Sequence, residues 1–138
     1  MAETVFDPIR GTRVKLTPEE RVRQSVVHHL TSALGYPPEL LANEAVITVG
    51  KVRRRCDTVV FDRRDRTPLM VLEYKAPEVA LSEKVLTQAL EYNAVLGAKV
   101  VAITNGREMH LLRCAAPGRP AAFLDAFPTY DRLASTEF

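Results

Sequence analysis

The chain has 138 residues, of which 46% are hydrophobic and 26% charged, and its formal net charge is only +2. This length and apolar fraction indicate one compact domain, and the net charge alone does not indicate a nucleic-acid binder. No apolar run approaches the ~20 residues that cross a bilayer, and the N-terminus lacks a secretory pattern. We therefore expect an intracellular, cytoplasmic protein without membrane contact.

The predicted domain covers residues 1–138 and has three parts. Residues 1–16 are expected to be an irregular arm, with at most one short extended piece near Val14. Residues 17–113 form the predicted core, and residues 114–138 contain three prolines and are expected to be a loop-rich tail with a last helical turn near 131–134.

The first helix is predicted to begin at Thr17. Threonine is a favoured N-cap, Pro18 suits the first helical position, and Glu20 completes a capping box. Apolar residues then recur with a helical period, and Gly35 followed by two prolines ends the helix.

The remaining pattern predicts strands around a second helix. β-branched and apolar runs indicate three strands, Ser82 to Gly97 reads as an amphipathic helix, and Asn105-Gly106 is typical of a tight hairpin. The resulting order is α-β-β-β-α-β-β, an α/β fold with a mixed sheet flanked by helices. The predicted strands cover residues 43–49, 55–61, 68–74, 99–104 and 108–113.

Two acids and a lysine stand out on adjacent predicted strands. Asp57 lies within the second strand, and Glu73 and Lys75 lie at the end of the third, where alternation places both on one face. Such groups suit an edge where strands diverge and a cleft opens. The alternative is a surface salt bridge between strands.

That set of residues suits phosphodiester hydrolysis with a divalent ion. Magnesium prefers oxygen ligands and keeps several of its waters, so Asp57, Glu73 and the backbone carbonyl of Tyr74 are predicted metal ligands. Mn²⁺ is expected to substitute for Mg²⁺. Lys75 is expected to orient the attacking water and stabilise developing charge.

Further candidates lie on the two helices. Glu19 projects onto the apolar stripe of the first helix and needs a partner, which is either the metal site or Arg23 one turn later. Glu20 is explained as the capping-box acid. On the second helix, Gln88 and Tyr92 lie four residues apart on one face, and there a solvated flank and a core tyrosine are the alternative.

A basic stretch follows the first predicted strand. Residues 51–66 hold seven basic and three acidic residues, a local net charge of +4. Such a patch can bind phosphates, although a solvated hairpin is the alternative. The predicted DNA-binding residues are Lys51, Arg53, Arg54 and Arg55.

These motifs together resemble the PD-(D/E)XK nuclease superfamily. More narrowly, they are similar to the nuclease domain at the N-terminus of type I restriction enzyme R subunits, over roughly residues 5–113. The matching stretches are T-P-E-E-R-V-R-Q at 17–24, G-Y-P at 35–37, R-C-D-T-V-V at 55–60, P-L-M-V-L-E-Y-K-A-P at 68–77, Q-A-L-E-Y-N at 88–93 and T-N-G at 104–106.

The resemblance implies an α-β-β-β-α-β core. It implies that Asp57, Glu73 and Lys75 form the D…ExK catalytic set. It also implies that Gln88 and Tyr92 form the Q-x-x-x-Y motif, which helps to position the site or the DNA. The helix-one acid of that family maps onto Glu19 or Glu20, and the projection favours Glu19.

The predicted function is therefore a metal-dependent DNA endonuclease. The alternatives are a structure-specific nuclease such as a Holliday junction resolvase, and a non-catalytic DNA-binding module on the same fold. The sequence lacks a nucleotide-binding phosphate loop, so we do not expect it to drive translocation. DNA, a second copy in a homodimer, and subunits of a restriction or repair complex are the expected partners.

Overall fold

The structure, a computed structural model, describes residues 3–138. Within these residues, two sheets and three α-helices make up the fold, and no helix is both long and apolar enough to cross a membrane. In chain order the elements are β1 (Thr4–Asp7), β2 (Thr12–Lys15), α1 (Pro18–Ala33), a short 3-10 helix (Pro38–Leu40), β3 (Leu41–Val49), β4 (Val52–Phe61), β5 (Pro68–Tyr74), α2 (Glu83–Leu96), β6 (Val100–Thr104), β7 (Met109–Arg113), β8 (Ala122–Phe123) and α3 (Tyr130–Ala134).

The main sheet has six strands in the order β3-β4-β5-β6-β7-β8. Only β5 and β6 are parallel, because α2 provides the crossover between them, and the other neighbours are antiparallel. The predicted α/β class and the αβββαβ order with an added hairpin strand are confirmed.

The two long helices cover opposite faces of this sheet. Helix α1 begins where the Thr17 hydroxyl accepts a hydrogen bond from the amide of Glu20 at 3.0 Å, as the capping pattern predicts. It buries Val27 and Leu30 in the core on its face of the sheet. On the other face, α2 buries Ala89 and Leu96 in a second cluster.

The N-terminal segment is a β-hairpin, so the prediction of an irregular arm is wrong. Residues 4–7 pair with residues 12–15, while residues 1 and 2 lie outside the described part. The sequence pattern missed it because each strand has only four residues, and five of the eight positions are charged or polar. Asp7 is fully buried and accepts the amide of Ile9 at 2.9 Å, which closes the turn.

The C-terminal segment contributes more to the core than a loop-rich tail suggests. The predicted last helical turn is present as α3, and its Tyr130 and Leu133 side chains are buried. The Tyr130 hydroxyl donates to the carbonyl of Phe61 at 2.9 Å and accepts the amide of Arg63 at 3.0 Å. These bonds attach the tail to the β4–β5 turn.

We predict that Tyr130→Phe lowers the free energy of unfolding by about 1–3 kcal/mol, because the Phe61 carbonyl loses its buried partner. Equilibrium urea denaturation measures the change. The matched control is Tyr92→Phe, since that side chain is 38% exposed and should lose little. Equal stability of the two variants would show that α3 is not anchored in this way.

Candidate active site

Strands β4 and β5 separate at the carboxyl end of β5. Their register runs from Phe61 opposite Pro68 as far as Thr58 opposite Leu72, and the next residues are Asp57 and Glu73. Strand β5 continues to pair with β6 beyond this point. A gap therefore opens between β4 and β5, as the sequence predicts for these acids.

The Asp57 side chain fills part of this gap. Its Oδ2 accepts the backbone amide of Tyr74 at 2.9 Å, so a carboxylate takes the place of a ladder partner. Cys56 packs under α2, whereas the hydroxyl of Thr58 contacts that of Tyr74 on the α1 side. Residues two apart in a regular strand share a face, so β4 is irregular at Asp57 and directs its side chain along the sheet.

The neighbouring strand is irregular at the same level. Glu44 of β3 has a φ of 55°, in the left-handed region that side chains rarely adopt, and the β3–β4 register skips it between Asn43 and Ala45. Backbone strain of this kind concentrates at functional sites. Glu44 and Asp57 thus interrupt regular pairing side by side.

The ionised forms of the two candidate metal ligands are disfavoured in the folded protein. Burial raises the pKa of Asp57, against the opposing effect of the Tyr74 amide. Burial likewise raises the pKa of Glu73, and repulsion from Asp57 adds to it. Within residues 3–138 neither acid belongs to an ion pair, although the charge of Lys75 acts on both.

Asp57, Glu73 and Lys75 therefore come together at one site, as the sequence predicts. The backbone amide of Lys75 donates to the Thr104 carbonyl at 2.9 Å, which attaches the end of β5 to β6. The catalytic roles of the three residues remain predictions.

The donor set fits a small hard cation. In the described part of the chain, no three His, Cys, Asp or Glu side chains are grouped to hold a metal. Asp57 and Glu73 supply two carboxylates, and the carbonyl of Tyr74 lies on the chain directly after Glu73. Magnesium needs few protein ligands because it retains waters, and a cation would relieve the repulsion between these acids.

The prediction that Glu19 faces the interior is wrong. Glu19 is exposed, whereas Glu20 is 4% exposed. The inward face of α1 carries Glu20, Arg23, Val27 and Leu30. The projection counted only apolar residues and so displaced the predicted inward face towards Glu19, because a buried arginine is not recognisable as part of a core stripe.

Arg23 is the residue that sequence reasoning missed. Its guanidinium donates to Glu20 at 2.8 and 3.0 Å, to Glu44 at 2.8 Å, and to the carbonyl of Asp57 at 2.7 Å. Burial alone would raise the pKa of Glu20, but hydrogen bonds from Arg23, Gln24 and Arg10 outweigh it and lower that pKa to about 2. The sequence signal was the i, i+3 pair Glu20–Arg23 directly after the cap.

The other predicted site residues differ in whether they border the cleft that contains Glu73. Arg54 lies over the ring of Tyr92, and both line a narrow cleft with Glu73. Arg55 also borders this cleft, and its guanidinium is ion-paired to Glu44. Gln88 is exposed and outside the lining of this cleft. Lys51 and Arg53 are exposed on the β3–β4 hairpin.

This mixed sheet, flanked by α1 and α2, has the restriction-endonuclease-like fold. The family described as the type I restriction enzyme R protein N terminus matches residues 18–128. The chain belongs to this family. No curated protein matches it in sequence.

Two solved structures share the fold. A fragment assigned as an HsdR subunit of a type I restriction enzyme from Vibrio vulnificus is 24% identical with a TM-score of 0.62; the match covers 86% of this chain and 24% of that one. A protein from Anabaena variabilis, assigned as a nuclease of family DUF820, is 15% identical with a TM-score of 0.53, covering 91% and 78%. The chain thus spans about a quarter of the HsdR fragment.

We predict that Arg23→Met destabilises the fold by about 3–5 kcal/mol, because Glu20 would keep a buried charge without its main partner. Chemical denaturation at neutral pH measures the loss. Arg21→Met on the exposed side of the same helix is the control and should change stability by less than about 0.5 kcal/mol. Similar losses in both variants would contradict a buried ionic cluster.

We predict that Glu73→Gln stabilises the fold at neutral pH. A raised carboxyl pKa means that the ionised form is disfavoured in the folded state, so the charge costs stability above that pKa and nothing below the ordinary glutamate value. The gain should therefore disappear at about pH 4 and below. Thermal unfolding from pH 4 to 8 tests this, with exposed Glu91→Gln as control.

Proposed function

We propose that the chain is a Mg²⁺-dependent endodeoxyribonuclease. The observation that carries this proposal is the pair of half-buried carboxylates, Asp57 and Glu73, with raised pKa values in a strand gap beside Lys75. Membership of the restriction R protein family supports DNA as the substrate. A cytoplasmic location follows from that substrate.

Each residue has a distinct role in this proposal. Asp57, Glu73 and the Tyr74 carbonyl would hold Mg²⁺, and Mn²⁺ would substitute for it. When bound, the ion would neutralise charge at the phosphate and lower the pKa of a water beside it. The ammonium of Lys75 orients the attacking water and stabilises negative charge that develops on the phosphate oxygens.

The basic residues would grip the DNA backbone near this site. Lys51 and Arg53 extend from the β3–β4 hairpin into solvent, and Arg54 borders the cleft that contains Glu73. These side chains suit phosphates, which position DNA without specifying its sequence. Tyr92, under the Arg54 guanidinium, would position that arginine for the DNA.

The proposed assembly follows from the reaction and from the family. One active site of this kind cuts one strand, so cleavage of a duplex requires two sites, which a homodimer would provide. Type I restriction R proteins give the second context, in which the chain acts with other parts of a restriction complex.

The test is cleavage of supercoiled plasmid with Mg²⁺ or Mn²⁺, with EDTA as the metal-free control. We predict that Asp57→Asn, Glu73→Gln and Lys75→Ala each lower the nicking rate about a hundredfold or more, because each removes charge placed for the transition state. The matched exposed controls Asp125→Asn, Glu91→Gln and Lys84→Ala should cut normally.

Three results would contradict the proposal. Retention of DNA in a gel shift without cutting would indicate a non-catalytic DNA-binding module. Cutting of four-way junctions but not of plasmid would indicate a structure-specific resolvase. Cutting that persists in EDTA would exclude the assigned metal.

A further inference from the structure

Two hydrogen-bond networks connect the N-terminal hairpin, β1–β2, with the candidate active site. Both begin at the carboxylate of Asp7, which is fully buried although it lies 50 residues before Asp57 in sequence. They end on Asp57 and Tyr74, the residues that would provide two of the metal ligands. The catalytic roles proposed above do not involve either network.

The first network consists of charged side chains. Asp7 pairs with Arg10, and Arg10 donates to Glu20 at 2.6 Å. Glu20 receives two bonds from Arg23, which reaches the Asp57 carbonyl at 2.7 Å. This carbonyl lies where the β3–β4 ladder is interrupted at Glu44, so the guanidinium stabilises a backbone acceptor beside that interruption.

The second network also begins at Asp7, and its other side chains are uncharged. The side-chain amide of Asn43 donates to Asp7 at 3.0 Å, and its oxygen accepts the hydroxyl of Thr58 at 2.7 Å. The Tyr74 hydroxyl then donates to Thr58 at 2.9 Å. All four side chains are buried, so water cannot easily replace these bonds.

We propose that Arg23 is a positioning residue of this site and that Asp7 anchors it through Arg10 and Glu20. Arg23 holds the backbone of Asp57 at the irregular point of β4. The carboxylate then stays in the strand gap, where the Tyr74 amide donates to it. The site is thereby preorganised before any ligand binds, which makes the N-terminal hairpin part of the functional unit.

Arginine is suited to this position because its planar fork can satisfy several acceptors at once. Arg23 donates in three directions, to Glu20, Glu44 and the Asp57 carbonyl. A lysine has one nitrogen at the end of a flexible stem and cannot match this geometry. Arg23→Lys therefore keeps the buried charge while losing the positioning, which separates the two effects.

The first test measures the metal-free protein. The Tyr74 amide donates to Asp57 Oδ2, so its hydrogen exchange reports whether the carboxylate is held in place. We expect exchange at Tyr74 in Arg23→Lys to accelerate at least about tenfold relative to Met70 in the middle of β5, as loss of one bond to a charged group would produce. Arg21→Lys is the exposed control.

The anchor has its own variant. Asp7→Asn keeps the size of the side chain but removes the charge that pairs with Arg10, and it should accelerate Tyr74 exchange in the same direction. If Tyr74 exchange changes only in parallel with Met70 in both Arg23→Lys and Asp7→Asn, the positioning role is overturned. Asp7→Asn also keeps the test decisive if the arginine variant fails to fold.

The second test is calorimetric binding of Mn²⁺ without DNA, and this arm rests on the proposed function. Residues that bind a metal ligand without contacting the metal typically contribute 10–100-fold to metal affinity. We therefore expect Arg23→Lys to bind Mn²⁺ at least about tenfold more weakly. Unchanged affinity would contradict the proposal. Absence of binding in the unmodified protein would contradict the proposed metal instead, and the exchange measurement would still decide the role of Arg23.

Discussion

The separation of β4 from β5 at Asp57 is the constraint on which the candidate site depends. A regular antiparallel ladder would pair the backbones here and leave no room for a carboxylate between them. Instead, the Tyr74 amide donates a hydrogen bond to Asp57 Oδ2, and the Asp57 carbonyl accepts one from Arg23. Because both of these backbone groups have charged partners, neither is left unsatisfied where the strands separate.

The acids near this gap divide into two electrostatic classes. Glu20 and Glu44 are paired with arginines, and their pKa values are lowered. Asp57 and Glu73 lack such partners, and their pKa values are raised by burial. The ionised form is favoured in the first pair and disfavoured in the second, as we would expect for the metal ligands that we propose.

Much of the fold and part of the site could be predicted from the sequence. Caps at Thr17 and Ser82, strand-like apolar runs and the Asn105-Gly106 turn are local signals, and they led to the correct order of the α-helices and strands from α1 to β7. The prediction failed where burial involved charge. The hairpin containing Asp7 and the inward orientation of Glu20 both depend on charged side chains that are buried together, which a pattern of apolar residues does not display.

The sequence by itself determined the order of the α-helices and strands from α1 to β7, the family, and the presence of Asp57, Glu73 and Lys75 on or directly after adjacent strands. Side-chain period and capping are local properties, so they can be read along the chain. Only the tertiary structure decided that Glu20 rather than Glu19 faces inward and that Arg23 reaches Asp57. The physical reason is that a buried charge is tolerated only where the folded chain brings its partners to it.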